Sequence, residues 1–167
     1  MNRQTSQAIS APISNAVNAA TPKESCELLM REVLPLAKRM LAESGEFYPY
    51  GGITRIDGST VHVAAQEKDN IHPKSKTLVD ILTEEFQSQA TNQEIQACAI
   101  VFDVLIRPPN ETEKVDAIQV NLDHIGLYSV EVLFPYVIAD GKVTYRTPFA
   151  QEGDYLIFGT KRKPHAD

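Results

Sequence analysis

Hydrophobic and polar positions alternate with two different periods along this chain of 167 residues. In residues 29–41 the apolar side chains recur every three or four positions, which predicts an amphipathic helix. The segment Thr21-Pro22-Lys23-Glu24 in front of it has the residues of a capping box, and Gly45 behind it is a typical stop. Pro35 removes a helix hydrogen bond, so we expect a kink near residues 31–34 or two abutting helices.

A β-hairpin is predicted next, because residues 51–56 and 59–66 flank Asp57-Gly58, a strong two-residue turn signal. Centring the hairpin on that turn pairs Gly52 with Val63. A glycine at such a position lets another element approach the strand closely.

A second helix is predicted after a polar loop, with Ser75 or Thr77 as its cap and about Ala90 as its end. Residues 96–107 follow and are apolar on both faces, which is typical of a strand covered on both sides. The rest of the chain is expected to be β-structure, with a short edge segment at residues 155–158.

Residues 115–125 and 128–138 alternate between apolar and polar side chains, although Leu133 and Val137 break the polarity of the polar face near one end. A three-residue loop between them and the turn Asp140-Gly141 after them keep one face of the sheet apolar throughout. The expected pairs are Leu122 with Val130, Val120 with Val132, Ile118 with Phe134, Ile138 with Val143, Tyr136 with Tyr145, Phe134 with Thr147 and Val132 with Phe149.

The predicted fold is therefore α+β: a kinked N-terminal helix, a β-hairpin, a second helix and a four-strand antiparallel meander, with the helices on the apolar face of one sheet. In element order, residues 21 to about 150 resemble the cystatin-like or NTF2-like roll. A profilin-like or roadblock-like sandwich begins with the same α-β-β-α order and is the alternative. The stretches GEFYPYG, IDG, VAA, FDV, DAIQVNLDH and FPY are similar to those of a group of uncharacterised bacterial proteins. That group has no established activity, so the resemblance implies a lineage and no chemistry.

Charge and composition divide the chain into three parts. We predict a disordered leader in residues 1–20, a single domain in residues 21–158 and a basic tail in residues 159–167. Residues 24–158 hold 11 basic and 21 acidic residues, and an acidic body repels phosphate backbones, so no nucleic-acid partner is expected. No apolar run is as long as a membrane span, and we expect a cytoplasmic protein without a membrane partner.

The expected registers bring Asp116, Tyr136 and Tyr145 into one cross-strand row on the apolar face. If the sheet curls into a roll, this row lines the mouth of its cavity, where a carboxylate among tyrosine hydroxyls could act as an acid or base. Tyr48 and Tyr50 could turn toward the same mouth, so these five residues are the predicted ligand-binding set. The competing interpretation is structural: Asp116 accepts a tyrosine hydrogen bond at the start of a strand, and the stretch around Tyr48 and Tyr50 is a hinge.

Cys26 and Cys98 are predicted to be buried free thiols, because they lie where core packing accounts for them. No pair of histidines has metal-ligand spacing, so neither a metal nor another cofactor is expected.

Two further aspartates have structural interpretations. Asp103 interrupts the apolar strand 96–107, and we expect it to pair with Arg146 or Arg107 across the sheet. Asp123 and His124 are neighbours whose side chains point to opposite faces of a strand, so they do not form a dyad by themselves.

The sequence contains no phosphate-binding loop, no dinucleotide fingerprint and no nucleophile elbow. It therefore favours a non-catalytic binding module for a protein partner or a small ligand. One alternative is a cavity enzyme of the isomerase or hydrolase type that uses Asp116 with Tyr136 and Tyr145. Another is an acidic module that neutralises a basic protein partner. In rolls of the type that the element order resembles, the sheet often packs against another subunit, so the resemblance implies a possible homodimer through the sheet.

Overall fold

The computed structural model describes residues 20–159, so the predicted leader and basic tail lie almost wholly outside the described part. The elements are α1 (Pro22–Ser44), β1 (Tyr50–Arg55), β2 (Thr60–Ala64), α2 (Ser75–Thr91), β3 (Ile95–Ile106), β4 (Val115–His124), β5 (Tyr128–Ala139), β6 (Lys142–Tyr145) and β7 (Phe149–Glu152). The protein is α+β, with the predicted order of helix, hairpin, helix and meander. The strands form one antiparallel sheet in the order β2-β1-β3-β4-β5-β6, and β7 also pairs with β5. Neither of these two helices is long and apolar enough to cross a membrane.

Helix α1 begins and ends as its capping pattern predicts. The Thr21 hydroxyl accepts a hydrogen bond from the backbone N–H of Glu24 at 3.1 Å. Gly45 adopts a left-handed conformation with φ of 75°, and its N–H donates to the Leu41 carbonyl at 2.9 Å. The helix runs without a break through Pro35, so the alternative of two abutting helices is wrong.

A tyrosine from β1 inserts its hydroxyl into the backbone hydrogen bonds of α1, close to Pro35. The Tyr50 hydroxyl accepts a hydrogen bond from the Ala37 N–H at 3.0 Å and donates to the Val33 carbonyl. A regular helix would join those two backbone groups directly. His62 of β2 stacks on Tyr50, and its Nε2 lies 3.1 Å from the carbonyl oxygen of Glu32. The β1–β2 hairpin therefore supplies partners for helix groups next to the proline.

The two helices cover opposite faces of the sheet, which corrects the expectation that both lie on one apolar face. Neighbouring strand residues point to opposite faces. A Cβ added at Gly51 would lie 2.6 Å from the Phe86 ring of α2, whereas one added at Gly52 would lie 2.4 Å from Val33 of α1. The core on the α1 face includes Ala97, Ala99, Val101, Ile118, Val120 and Leu122, and the core on the α2 face includes Ile53, Cys98, Ile100 and Ile157. Strand β3 contributes to both cores, as its two apolar faces predict.

The β1–β2 hairpin is one residue out of its predicted register, because Gly52 faces His62. The N–H of Arg55 donates to the Ser59 carbonyl at 2.8 Å, so the loop contains the three residues 56–58. The glycine of this loop has φ of 90°, the left-handed conformation that three-residue hairpin loops need. The predicted close approach of another element at Gly52 is confirmed, with α1 as that element.

Helix α2 has no side-chain cap. Its N-cap is Lys74, which makes no side-chain hydrogen bond to the helix, so the prediction of Ser75 or Thr77 as the cap is wrong. Leu78, Leu82 and Phe86 form the predicted apolar stripe and are buried.

The meander pairs as predicted as far as Tyr145, including the pairs Leu122–Val130, Val120–Val132, Ile118–Phe134, Ile138–Val143 and Tyr136–Tyr145. Beyond Tyr145 the predicted register is wrong, because Phe149 pairs with Leu133. Pro148 lacks an N–H and lies in the break between β6 and β7, where one additional residue enters the chain. The shift puts Phe149 on the α2 face opposite Leu133, which is buried.

The chain after β7 crosses the α2 face as a turn, so the prediction of an edge segment at residues 155–158 is wrong. The Gly153 N–H donates to the Ser129 carbonyl at 3.0 Å, which ties the segment to β5. The Leu156 carbonyl accepts from Gln87 of α2 at 2.8 Å, and Ile157 is buried in the core under that helix.

Candidate functional site

The predicted row of Asp116, Tyr136 and Tyr145 lies on the α1 face. Asp116 of β4 pairs with Tyr136 of β5, which pairs with Tyr145 of β6. A groove of about 350 Å³ opens beside this row, and Gly45 at the end of α1 forms part of its wall. We call it the α1-end groove; its lining residues are Gly45, Asp103, Lys114, Val115, Asp116, Tyr136, Val137 and Ile138.

The Tyr136 hydroxyl donates its hydrogen bond to Asp103 of β3, with 2.7 Å between the hydroxyl oxygen and Asp103 Oδ1. Burial raises the pKa of the Asp103 carboxyl, the bond from Tyr136 lowers it, and the nearby charge of Asp116 raises it again. Burial, that same bond and the charge of Asp103 raise the pKa of Tyr136. The Tyr136 hydroxyl therefore uses its only hydrogen-bond donor on Asp103. The Asp116 side chain is exposed to solvent.

The expected ion pair of Asp103 with Arg146 or Arg107 does not form. Arg146 binds Glu111 in the β3–β4 loop, with 2.9 Å between Nη1 and Oε2. Arg107 donates through Nε to the carbonyl of Thr112 at 3.0 Å. Both arginines therefore bind the β3–β4 loop, and Asp103 is hydrogen-bonded to Tyr136 instead.

Tyr145 packs against Tyr136 and α1 and does not line the groove. The Lys38 ammonium stands 4.6 Å from the centre of its ring and 5.8 Å from that of Phe134, within the range of a cation–π contact. Its ring is tilted against Tyr136, with 6.2 Å between centroids. The Tyr145 hydroxyl oxygen is buried without a hydrogen-bond partner in the described part of the chain, and burial raises its pKa. Tyr145 thus supports the Tyr136 ring by packing against it.

The other two predicted ligand-binding residues lie elsewhere. Tyr50 is buried in the core, where its hydroxyl contacts α1 and burial raises its pKa to about 12. Tyr48 is 51% exposed and lines a separate groove of about 490 Å³ formed by residues 65–73 and Leu78. The structure therefore brings Asp116 and Tyr136 together and separates Tyr48 and Tyr50 from them.

A second polar cluster lies at the opposite end of β4, on the α2 face. Asp123 is buried there, and its burial raises the pKa of the carboxyl to about 6; a hydrogen bond with Ser129 lowers it, and the charges of Asp154 and Glu131 raise it. The adjoining cavity has a volume of about 20 Å³, enough for a water molecule and too small for a ligand.

Cys26 and Cys98 are buried free thiols, as predicted. Burial raises the pKa of Cys26 to about 12 and that of Cys98 well above its ordinary value. His124 accepts a hydrogen bond from the Gly126 N–H at its Nδ1, 2.8 Å away, and burial lowers its pKa. These three side chains are buried, and none of them lines either groove.

Within residues 20–159, no group of three His, Cys, Asp or Glu side chains is placed to hold a metal ion. No protein-family model, no curated protein and no solved structure matches this chain. The resemblance to uncharacterised bacterial proteins and the particular type of roll therefore stay predictions.

Proposed function

We propose that this protein is a non-catalytic binding module and that the α1-end groove is its binding site. The observation that carries the proposal is the pairing of an exposed carboxylate, Asp116, with a fixed polar wall made by the Tyr136–Asp103 hydrogen bond. Such a wall is preorganised, because its two side chains extend from β3 and β5 of one sheet and are already hydrogen-bonded to each other. A preorganised site binds a ligand without the cost of ordering its own groups.

The arrangement of the tyrosines favours binding over the alternative of a cavity enzyme. That enzyme needs Tyr136 and Tyr145 as donors beside an Asp116 base. Tyr136 donates its hydrogen bond to Asp103 instead, and Tyr145 packs against Tyr136 and Lys38 without lining the groove.

Binding and turnover can be tested together by NMR. The full chain is incubated with mixtures of small amines, carboxylic acids, sugars and nucleosides, and saturation-transfer spectra identify the compounds that bind. The same samples are followed for new product signals. We expect at least one class to bind wild type, to bind the Asp116→Asn variant less, and to remain chemically unchanged. Turnover that Asp116→Asn abolishes would contradict the proposal, and so would binding that this variant leaves intact.

The homodimer and the cytoplasmic location stay predictions. On the polar face of the meander, Gln119 donates to Asn121 at 2.8 Å, and Gln151 donates to Glu131 at 2.7 Å. These side chains are already hydrogen-bonded to one another, so a partner subunit that used the same groups would have to replace those bonds. Sedimentation over a range of concentrations tests the dimer directly.

A further inference from the structure

We infer that the partner of the α1-end groove is a protein segment in which a lysine or arginine is flanked by apolar side chains. The inference rests on the proposed function, and it names the class of partner that the groove and its surroundings fit. It depends on two features of the surface, one electrostatic and one apolar.

The electrostatic feature is a concentration of negative charge where α1 ends. Asp103 and Asp116 both line the groove, and the C-terminal end of a helix carries a partial negative charge of its own. The last turn of α1 contains no basic residue to offset it. A cationic side chain placed between the two carboxylates would therefore be stabilised from three directions.

The apolar feature is the uncovered end of the sheet beside the groove. Leu105 of β3 pairs directly with Asp116 and is 59% exposed. Ile138 of β5 shares a face with Tyr136, two residues away, and is 40% exposed. Both lie on the α1 face, and within residues 20–159 their exposure shows that no helix covers them.

Exposed apolar surface rimmed by polar residues marks interaction sites and ligand-binding grooves. A small amine would occupy the carboxylates and leave Leu105 and Ile138 in water. A polypeptide with apolar neighbours on either side of its cation would cover both, and the acidic body of residues 24–158 adds long-range attraction. Lys114, which also lines the groove, opposes a cationic partner.

The probe is a dansylated peptide amide of sequence Gly-Leu-Lys-Leu-Gly, whose binding to the full chain is followed by fluorescence anisotropy. Two control peptides separate the features: one has norleucine in place of lysine, and the other has glycine in place of both leucines. We expect each control peptide to bind at least about threefold more weakly than the probe.

Protein variants test the same surface from the other side. Asp116→Asn and Leu105→Ser should each weaken the probe about threefold or more, and Lys114→Gln should tighten it. Glu84→Gln, at an exposed acid on α2 on the other side of the sheet, is the matched control and should leave the affinity unchanged.

Equal losses with Asp116→Asn and Glu84→Gln would show general charge attraction and overturn the inference. Equal affinity for the leucine and glycine peptides would also overturn it, while leaving the groove as a binding site for a cation. If no peptide binds but a small compound does so in an Asp116-dependent manner, the proposed function stands and the partner class is wrong.

Discussion

The contact between Tyr50 and α1 makes a quantitative prediction about stability. Tyr50→Phe removes one hydroxyl and leaves the Ala37 N–H and the Val33 carbonyl without that partner inside the core. A buried backbone group without a hydrogen bond costs about 1–3 kcal/mol. Since two groups are affected and the helix can relax in part, we expect a loss of about 2–4 kcal/mol in the free energy of unfolding.

The measurement is urea unfolding followed by circular dichroism, with the slope of the transition compared between wild type and variant. Tyr48→Phe is the matched control, because Tyr48 is two residues away and half exposed. It should change the stability by less than about 0.5 kcal/mol.

A double-mutant cycle with Pro35→Ala tests the cause. If the proline opens the ladder and the tyrosine fills the gap, an alanine at position 35 lets Ala37 and Val33 bond directly. The cost of Tyr50→Phe should then shrink by at least about 1 kcal/mol in the alanine background. A cost of Tyr50→Phe below about 0.5 kcal/mol in wild type would show that the hydroxyl does not stabilise α1, and an unchanged cost in the cycle would show that Pro35 is not the cause.

Three further predictions concern the packing. Gly52→Ala places a Cβ 2.4 Å from Val33 and should lower the free energy of unfolding by about 1–3 kcal/mol in urea. The cost should be smaller in a Val33→Ala background, and equal costs in both backgrounds would show that the clash with Val33 is not the cause. Burial raises the pKa of Asp123 from 3.8 to about 6, so its contribution to stability is full below the unfolded pKa and is lost as the pH rises through about 6. The free energy of unfolding of wild type should therefore fall by about 3 kcal/mol more than that of Asp123→Asn between acid and neutral pH. Parallel stability profiles for the two proteins would contradict this prediction. Cys26 and Cys98 should fail to react with a thiol-specific disulfide reagent until urea unfolds the chain, and prompt labelling of the native protein would contradict their burial.

The sequence predicted the order of elements and most of the meander because short turns leave few choices of register. The three-residue loop at 125–127 and the turn at 140–141 each connect strands whose alternation admits one pairing. The capping residues Thr21 and Gly45 predicted the ends of α1 for a similar local reason.

What the sequence did not predict depends on contacts between distant segments. The loop at residues 107–114 separates β3 from β4, and a loop of that length does not determine a register. The partnership of Asp103 with Tyr136 therefore could not be derived, although Asp103 interrupts an apolar strand and is a visible signal. The placement of α2 on the second face was signalled by Gly51 beside Gly52, since each glycine admits a helix on its own side.

Tyr48, Tyr50 and Tyr136 show why residue type alone does not locate a site. Tyr48 is half exposed, the Tyr50 hydroxyl bonds to the backbone of α1, and Tyr136 forms part of the wall of a groove. Their roles are set by which backbone or carboxylate group each hydroxyl reaches in the folded chain.

The most direct test of the binding site is a map of amide chemical shifts during titration of the isotope-labelled full chain with the Gly-Leu-Lys-Leu-Gly peptide. We expect the largest changes at Gly45, Leu105, Asp116 and Ile138, and we expect Asp116→Asn to suppress them. Changes centred on the loop at 65–73 beside Tyr48, or on Asp123 and Glu131, would contradict it.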